Sequence, residues 1–356
     1  MKRYISLLLA AALLLCLAGC AAQAAQAPEP TVSFTDSCGR TVALPKTLTR
    51  VAPSGAVATM LLATIAPEYL VSVNATPSSS QYKYLPQELL SLPTTGQMYG
   101  SKSTLNLETL LACGAQVVID LGDKKDNMAA DLDELQKKLG IPVIFIEADL
   151  AHMAEAYRTL GSLLSGKQAR GAELADFCEK TVAMAEENSA KIPASERLRV
   201  LYTSGVSGLD TNARGSIQAQ VLELIGADNA AVVEDVSNKG GGNTVSLEQL
   251  YAFDPDVILF SAGSIYGTVS QNPAWTQLRA IQTGRYYEIP SLPYNWMSNP
   301  PSLNMILGIW WAGNLLYPDV YDCDMTEKAQ EIFRLFWGYA LSDSEAAQLL
   351  GREAGA

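Results

Sequence analysis

Thr104-Leu105-Asn106-Leu107-Glu108-Thr109-Leu110-Leu111-Ala112 runs into the apolar triplet Val117-Val118-Ile119, and Thr244-Val245-Ser246-Leu247-Glu248-Gln249-Leu250-Tyr251-Ala252 runs into Val257-Ile258-Leu259-Phe260. Thr, Leu, Glu, Leu, Ala and Val fall at the same offsets in the two stretches, 140 residues apart. Each reads as a short helix with a polar start, followed by a buried strand rich in β-branched residues. A unit repeated at that distance predicts two related α/β lobes. The first copy continues into Leu132, Leu135 and Leu139 at helical spacing, then Gly140 as a C-cap, then the strand run Val143-Ile144-Phe145-Ile146. Strand, helix and strand in that order predict a parallel sheet with helices packed on it.

Between the repeats, 151–191 contains no proline and is rich in Ala, Leu, Glu and Lys. It predicts a long helical stretch, interrupted near Gly166, with an apolar stripe at Leu174, Phe177 and Cys178 and a stop at Pro193. Strand-like runs return at Leu198–Tyr202, Val257–Phe260 and Tyr286–Ile289. The chain ends in helical patterns, with Leu303–Leu316 strongly apolar and Ile332, Leu335, Phe336 and Tyr339 on one further face. The expected division is an N-terminal α/β lobe at 31–165, a connecting helix at 166–192 and a C-terminal α/β lobe at 193–356.

Composition narrows the function. The 356 residues are 48% hydrophobic and 17% charged, ordinary for a globular protein, and the length suits two domains. The net charge of −12, from 25 Lys+Arg against 37 Asp+Glu, argues against nucleic acid, whose phosphates need clustered cations. His152 is the one histidine, which excludes a transition-metal site built on several imidazoles. Cys38, Cys113, Cys178 and Cys323 form neither a CxxC pair nor a metal-ligand spacing. Cys113 and Cys178 read as small buried hydrophobes, and a Cys38–Cys323 disulfide is left open.

The start of the chain reads as an export signal. Lys2 and Arg3 precede Ile5–Leu17, apolar except for Ser6 and, at 13 residues, too short to cross a bilayer as a helix. Leu17-Ala18-Gly19-Cys20 then resembles the lipobox of bacterial lipoproteins, which implies cleavage after residue 19 and a diacylglyceryl group on Cys20. Multiple acyl chains give stable anchoring, at roughly 0.8 kcal/mol per buried CH₂. The Ala/Gln/Pro-rich stretch at 20–30 reads as a tether, and ten such residues reach at most about 35 Å. The expected location is extracytoplasmic, close to the membrane.

Further motifs carry a family resemblance. Val32-Ser33-Phe34-Thr35-Asp36, Gly39-Arg40, Val42 and Leu44-Pro45, then Arg50-Val51-Ala52-Pro53-Ser54, resemble the entry hairpin, first buried strand and following turn of the periplasmic-binding-protein family that serves importers of siderophores, haem and cobalamin. Leu247–Leu250 with Asp254-Pro255-Asp256-Val257-Ile258, and Asn272-Pro273-Ala274-Trp275 through Gly284-Arg285-Tyr286-Tyr287, are similar to later units of that family. The resemblance covers nearly all of the chain after the signal. It implies two Rossmann-like α/β lobes joined by one long backbone helix, a ligand cleft between the lobes, and delivery to an ABC permease with its ATPase by a monomer. It also implies that Glu108 and Glu248, one per lobe, meet permease arginines, since carboxylates at fixed separation suit bidentate guanidinium pairing. Both glutamates also stand where a helix N-terminus favours an acid, and Ser246 with Gln249 can form a capping box.

Ligand-site candidates on loops after strands are Ser54, Tyr99, Arg214, Tyr266 and Trp296. Trp296 sits in the Pro-stopped loop Tyr294–Pro301, where an aromatic face suits a large flat ligand. Arg214 suits an anionic chelate. Gly240-Gly241-Gly242 stands where cobalamin-binding relatives tend to place an aromatic, and His152 lies at the start of a helical stretch, so the expected order is ferric siderophore, then corrinoid, then haem. A ferric siderophore needs no protein ligand to its metal. An enzyme is disfavoured: Gly205-Val206-Ser207-Gly208 falls short of a G-x-S-x-G elbow, and Gly100-Ser101-Lys102-Ser103 falls short of a phosphate-binding loop. A surface receptor or sensor without transport would carry the same domain sequence.

Overall fold

The computed structural model describes residues 30–100, 104–238 and 240–351. The signal, the lipobox Cys20 and most of the tether lie outside them. Strands β1 (Thr31–Thr35) and β2 (Thr41–Pro45) form an antiparallel hairpin. Asp36 closes its turn by accepting from the backbone N–H groups of Cys38 and Arg40, and pairs with the Arg40 guanidinium at 2.8 Å.

The N-terminal lobe is a three-stranded parallel sheet in the order β3 (Val51–Pro53), β4 (Val117–Gly122) and β5 (Val143–Glu147). All of β3 and β4 is buried, as continuous apolar runs in a covered parallel sheet should be. Helix α1 (Ala56–Ile65) follows β3, α2 (Leu107–Ala112) precedes β4, and α3 (Met128–Leu139) joins β4 to β5. Leu132, Leu135 and Leu139 are on the buried face of α3, and Gly140 ends it at φ +67°. That left-handed conformation is the reason for glycine there.

Two helices leave this lobe: α4 (Met153–Leu163) and the 24-residue α5 (Gln168–Lys191), broken apart at Gly166, φ +72°. They cross so closely at Gly161 and Gly171 that a Cβ on Gly171 would stand 2.5 Å from the Tyr157 carbonyl oxygen. Past α5, β6 (Arg199–Ser204), β7 (Asp210–Thr211), β8 (Asp228–Asn229), β9 (Asn243–Thr244), β10 (Val257–Phe260) and β11 (Tyr286–Glu288) make the second sheet, in the order β11-β10-β6-β7-β9 with β8 also on β6. Strands β6, β8, β10 and β11 are parallel, while β7 and β9 add antiparallel pairings at one end.

The repeated sequence is repeated structure. Helix α2 starts at Asn106, whose side chain accepts from Thr109 N–H. Its counterpart α6 (Leu247–Phe253) starts at Ser246 with the capping box to Gln249 complete. Each helix leads into a central strand of its sheet.

The chain then forms α7 (Asn304–Leu316), α8 (Met325–Trp337) and α9 (Asp343–Leu349). Helix α8 returns to the first half: Phe336 packs its ring against Tyr157 of α4 and Phe177 of α5, and Phe333 packs against Tyr84. One apolar cluster therefore runs from Val51 and Leu61 through Leu174 and Cys178 to Val200, Leu259 and Phe333. All four described cysteines are free thiols, so Cys38 and Cys323 are not joined. Cys178 is buried as expected, while Cys113 is half-buried with its thiol donating to the Thr109 carbonyl. Among the described residues no helix is long and apolar enough to cross a membrane.

Candidate ligand cleft

Parallel strands end on the same side of their sheet, and loops leaving those ends build the site. Ser54 follows β3, Asp120 lies near the end of β4, and Asp123 and Lys125 follow it. They form one wall of a cavity of about 370 Å³, together with Tyr99. The facing wall comes from the second lobe: Ile217, Gln218, Asn238 and the turn at Asn299-Pro300-Pro301. A smaller cavity of about 150 Å³ adjoins it and shares Ala56 and Pro300. The site is thus an interlobe cleft.

The first wall carries the charge. Ser54 and Asp120 are both nearly inaccessible, and the Ser54 hydroxyl donates to Asp120 Oδ1. Burial pushes the Asp120 carboxyl up to about 6, against the opposing pull of the Ser54 hydrogen bond and the Lys125 charge. Lys125 itself is engaged: its ammonium lies 3.5 Å from Asp123 Oδ2 and 5.0 Å from the centre of the Tyr99 ring. Tyr99 donates its hydroxyl to Asp131 at 3.3 Å. Burial, then the negative charges of Asp120 and Asp131, push the Tyr99 phenol upward.

The second wall is polar but uncharged among its described residues. Asn238 braces it, with Oδ1 accepting from Ile217 N–H and its carbonyl accepting from Gln218 Nε2. Gln218 is 3% exposed, and its Oε1 has no hydrogen-bond partner. An acceptor left in that state costs about 1–3 kcal/mol.

The five sequence candidates part company here. Ser54 and Tyr99 line the cleft. Tyr266 does not; it lines a separate groove of about 680 Å³ with Lys83, Tyr84, Tyr287 and Trp311. Arg214 is on the surface, paired with Asp228 and donating to the Asn229 carbonyl at 2.9 Å, so its charge is already spent. Trp296 corrects the expectation of an open aromatic face. It is 0% exposed, donates its indole N–H to the Leu292 carbonyl at 2.9 Å and packs against Phe333.

Asp120, Lys125, Gln218, Asn238 and Asn299 went unseen in the sequence. Asp120 alone gave a signal, as a single acid inside the apolar run Val117–Leu121. Glu147, Asp149 and His152 bring donor atoms within 4.8 Å of one another, but none of the three lines the cleft. His152 Nδ1 lies 2.6 Å from Asp149 Oδ1, which raises the imidazole pKa. Glu108 and Glu248 are exposed, each in the first turn of its helix.

A family profile described as periplasmic binding protein matches residues 51–293, more than half of the chain. The chain belongs to the periplasmic binding protein family. Among solved structures it is similar to an ABC transporter solute binding protein from Sulfurospirillum deleyianum, with 28% identity, a TM-score of 0.81, and 89% of this chain and 98% of that one covered. The molybdate periplasmic binding protein MolA of Haemophilus influenzae, 19% identical over 87% of this chain and 99% of its own with a TM-score of 0.68, shares the fold. A curated relative, the Fe(3+)-citrate-binding protein YfmC of Bacillus subtilis, is 23% identical over 193 residues, 53% of this chain. The match spans 58% of that relative's length. Family and fold are those of binding proteins rather than enzymes, and the family is extracytoplasmic.

Proposed function

We propose that this periplasmic binding protein captures a metal chelate, a ferric siderophore foremost, and delivers it to an ABC permease from a lipid anchor on Cys20. The observation that carries the ligand class is Tyr99. It is the one tyrosine among the described cleft-lining residues, no histidine joins it, and its hydroxyl is engaged with Asp131 at 3.3 Å. A bare ferric ion or a haem iron would need a phenolate or imidazole at that place. Iron already enclosed by a chelator would not.

Glu108 and Glu248 are exposed and would meet permease arginines, giving orientation and association rate more than affinity. The lipobox reading supports the anchor, and incorporation of a fatty-acid label that disappears in Cys20→Ser would support it further. Isothermal titration of the full-length chain with ferric hydroxamates, ferric catecholates, ferric dicitrate, cobinamide and haemin tests the ligand class. Saturable binding of a ferric chelate at micromolar concentration or tighter is expected. Binding of haemin or cobinamide alone, or of none of the panel, would overturn it.

A further inference from the structure

Asp120 is a buried acid lining the cleft, and among the described residues no cation forms an ion pair with it. The charged side chains lining the cleft, among the described residues, are Asp120, Asp123 and Lys125. Lys125 is shared between Asp123 and the Tyr99 ring. The groups facing Asp120 from the elements around it are the Ser54 hydroxyl, the Tyr99 phenol, the Cys38 thiol, and Lys125 and Asp123 from its own strand's loop. Among the described lining residues the lobe opposite adds acceptor atoms and no charge: Gln218 Oε1 is unpartnered, and Asn238 is turned to its own wall. Over the whole chain the charge is −12, which opposes the approach of an anion.

We propose that Asp120 determines specificity by accepting a hydrogen bond from a donor or positively charged group on the ligand, so that the cleft prefers a neutral or cationic chelate to a polyanionic one. The proposal rests on the metal-chelate reading above. It separates this chain from the citrate and molybdate that its relatives' names carry. A ferric trishydroxamate fits: its metal centre is neutral, and its amides and any free amine supply donors. An ionised carboxylate in a low-dielectric cleft strengthens such a contact and penalises a ligand carboxylate or oxyanion at the same place.

The test is calorimetric titration of the full-length chain with ferrioxamine B, which is cationic, ferrichrome, which is neutral, and ferric dicitrate and molybdate, which are anionic. Ferrioxamine B or ferrichrome is expected to bind at least tenfold tighter than either anion. Asp120→Asn should weaken ferrioxamine B by about ten- to hundredfold, the usual worth of a hydrogen bond to a charged acceptor. It should weaken the anions not at all. Ser54→Ala, which takes away a hydrogen bond that favours the ionised carboxyl and leaves the carboxyl itself in place, should weaken ferrioxamine B less than Asp120→Asn does. Circular dichroism of both variants guards against loss of the fold. Equal binding of cationic and anionic ferric chelates would overturn the charge preference and leave the chelate reading standing. Preferred binding of an anion, abolished in Lys102→Ala/Lys239→Ala, would overturn it as well, since those lysines lie outside the described residues. Binding of no ferric chelate would remove the chelate reading itself.

Discussion

Replacing Asp120 by asparagine should make the empty protein more stable at neutral pH, although it removes a buried native side chain. The carboxyl titrates near 6 in the fold against a reference of 3.8, and desolvation is the main cause. A rise of roughly two units corresponds to about 3 kcal/mol. The folded state holds the proton more tightly than the unfolded state. The stability this contributes is full below pH 3.8 and is lost as pH rises through about 6. At pH 7 the protein therefore carries a buried charge costing about 3 kcal/mol relative to acid conditions. Asparagine has no charge to desolvate and can still accept from the Ser54 hydroxyl. Losing the hydrogen bond from the Leu121 backbone N–H would return about 1 kcal/mol, leaving a net gain of about 2 kcal/mol at pH 7. Urea unfolding of both proteins between pH 4 and pH 8 measures this, and subtracting the two curves removes titrations common to both. The expected difference is near zero at pH 4 and grows through pH 6. A variant equally destabilised at pH 4 and pH 7 would show that the carboxylate is fully satisfied within the fold, and the reasoning would fail.

Glu108→Ala with Glu248→Ala should leave ligand affinity unchanged and lower uptake in cells; loss of binding in purified protein would contradict docking as their role. Trp296→Ala should lower stability by about 3–5 kcal/mol in denaturant unfolding, as for other buried tryptophans. A variant that keeps its stability but loses ligand would place Trp296 back in the cleft. Solution scattering should show little change in radius of gyration on ligand binding, because one apolar cluster ties both lobes to α5 and α8; a large change would refute that coupling.

The regular elements were legible because local signals agreed with each other. β-Branched runs fell at β4, β5 and β10, the leucines of α3 ended at a glycine, and Ser246 and Gln249 announced the start of α6. The cleft was legible at Ser54, where it coincides with a strand end, and at Tyr99, an aromatic in a loop. Tyr294–Pro301 reads as an open loop because nothing local says otherwise. What closes it lies outside the run: the Trp296 backbone N–H bonds to the Pro290 carbonyl just before it, and the ring finds the distant Phe333 on α8. The surface place of Arg214 is hidden for a similar reason, since its partner Asp228 sits on β8, outside the loop that holds Arg214. Likewise α8 falls within the C-terminal half of the sequence but packs on α4 and α5, which no pattern within 325–337 encodes.

Asp120 shows why the residues on which the proposed selectivity turns are hard to see in the sequence. Its neighbours Val117, Val118, Ile119 and Leu121 make the run read as core, and the structure agrees for all of them. An ionised carboxylate in that setting opposes folding, and Ser54 offsets only part of the cost. The opposite wall holds a second unfavourable feature in Gln218 Oε1. A buried acid on one wall and an unpartnered acceptor on the other are places where a ligand donor gains most, because water is largely excluded from both. With α8 and α5 fastened to both halves, the walls are set before the ligand arrives, so less binding energy is lost to ordering them. The stability given up at neutral pH and the selectivity proposed for the cleft then have the same origin, the buried carboxylate at position 120.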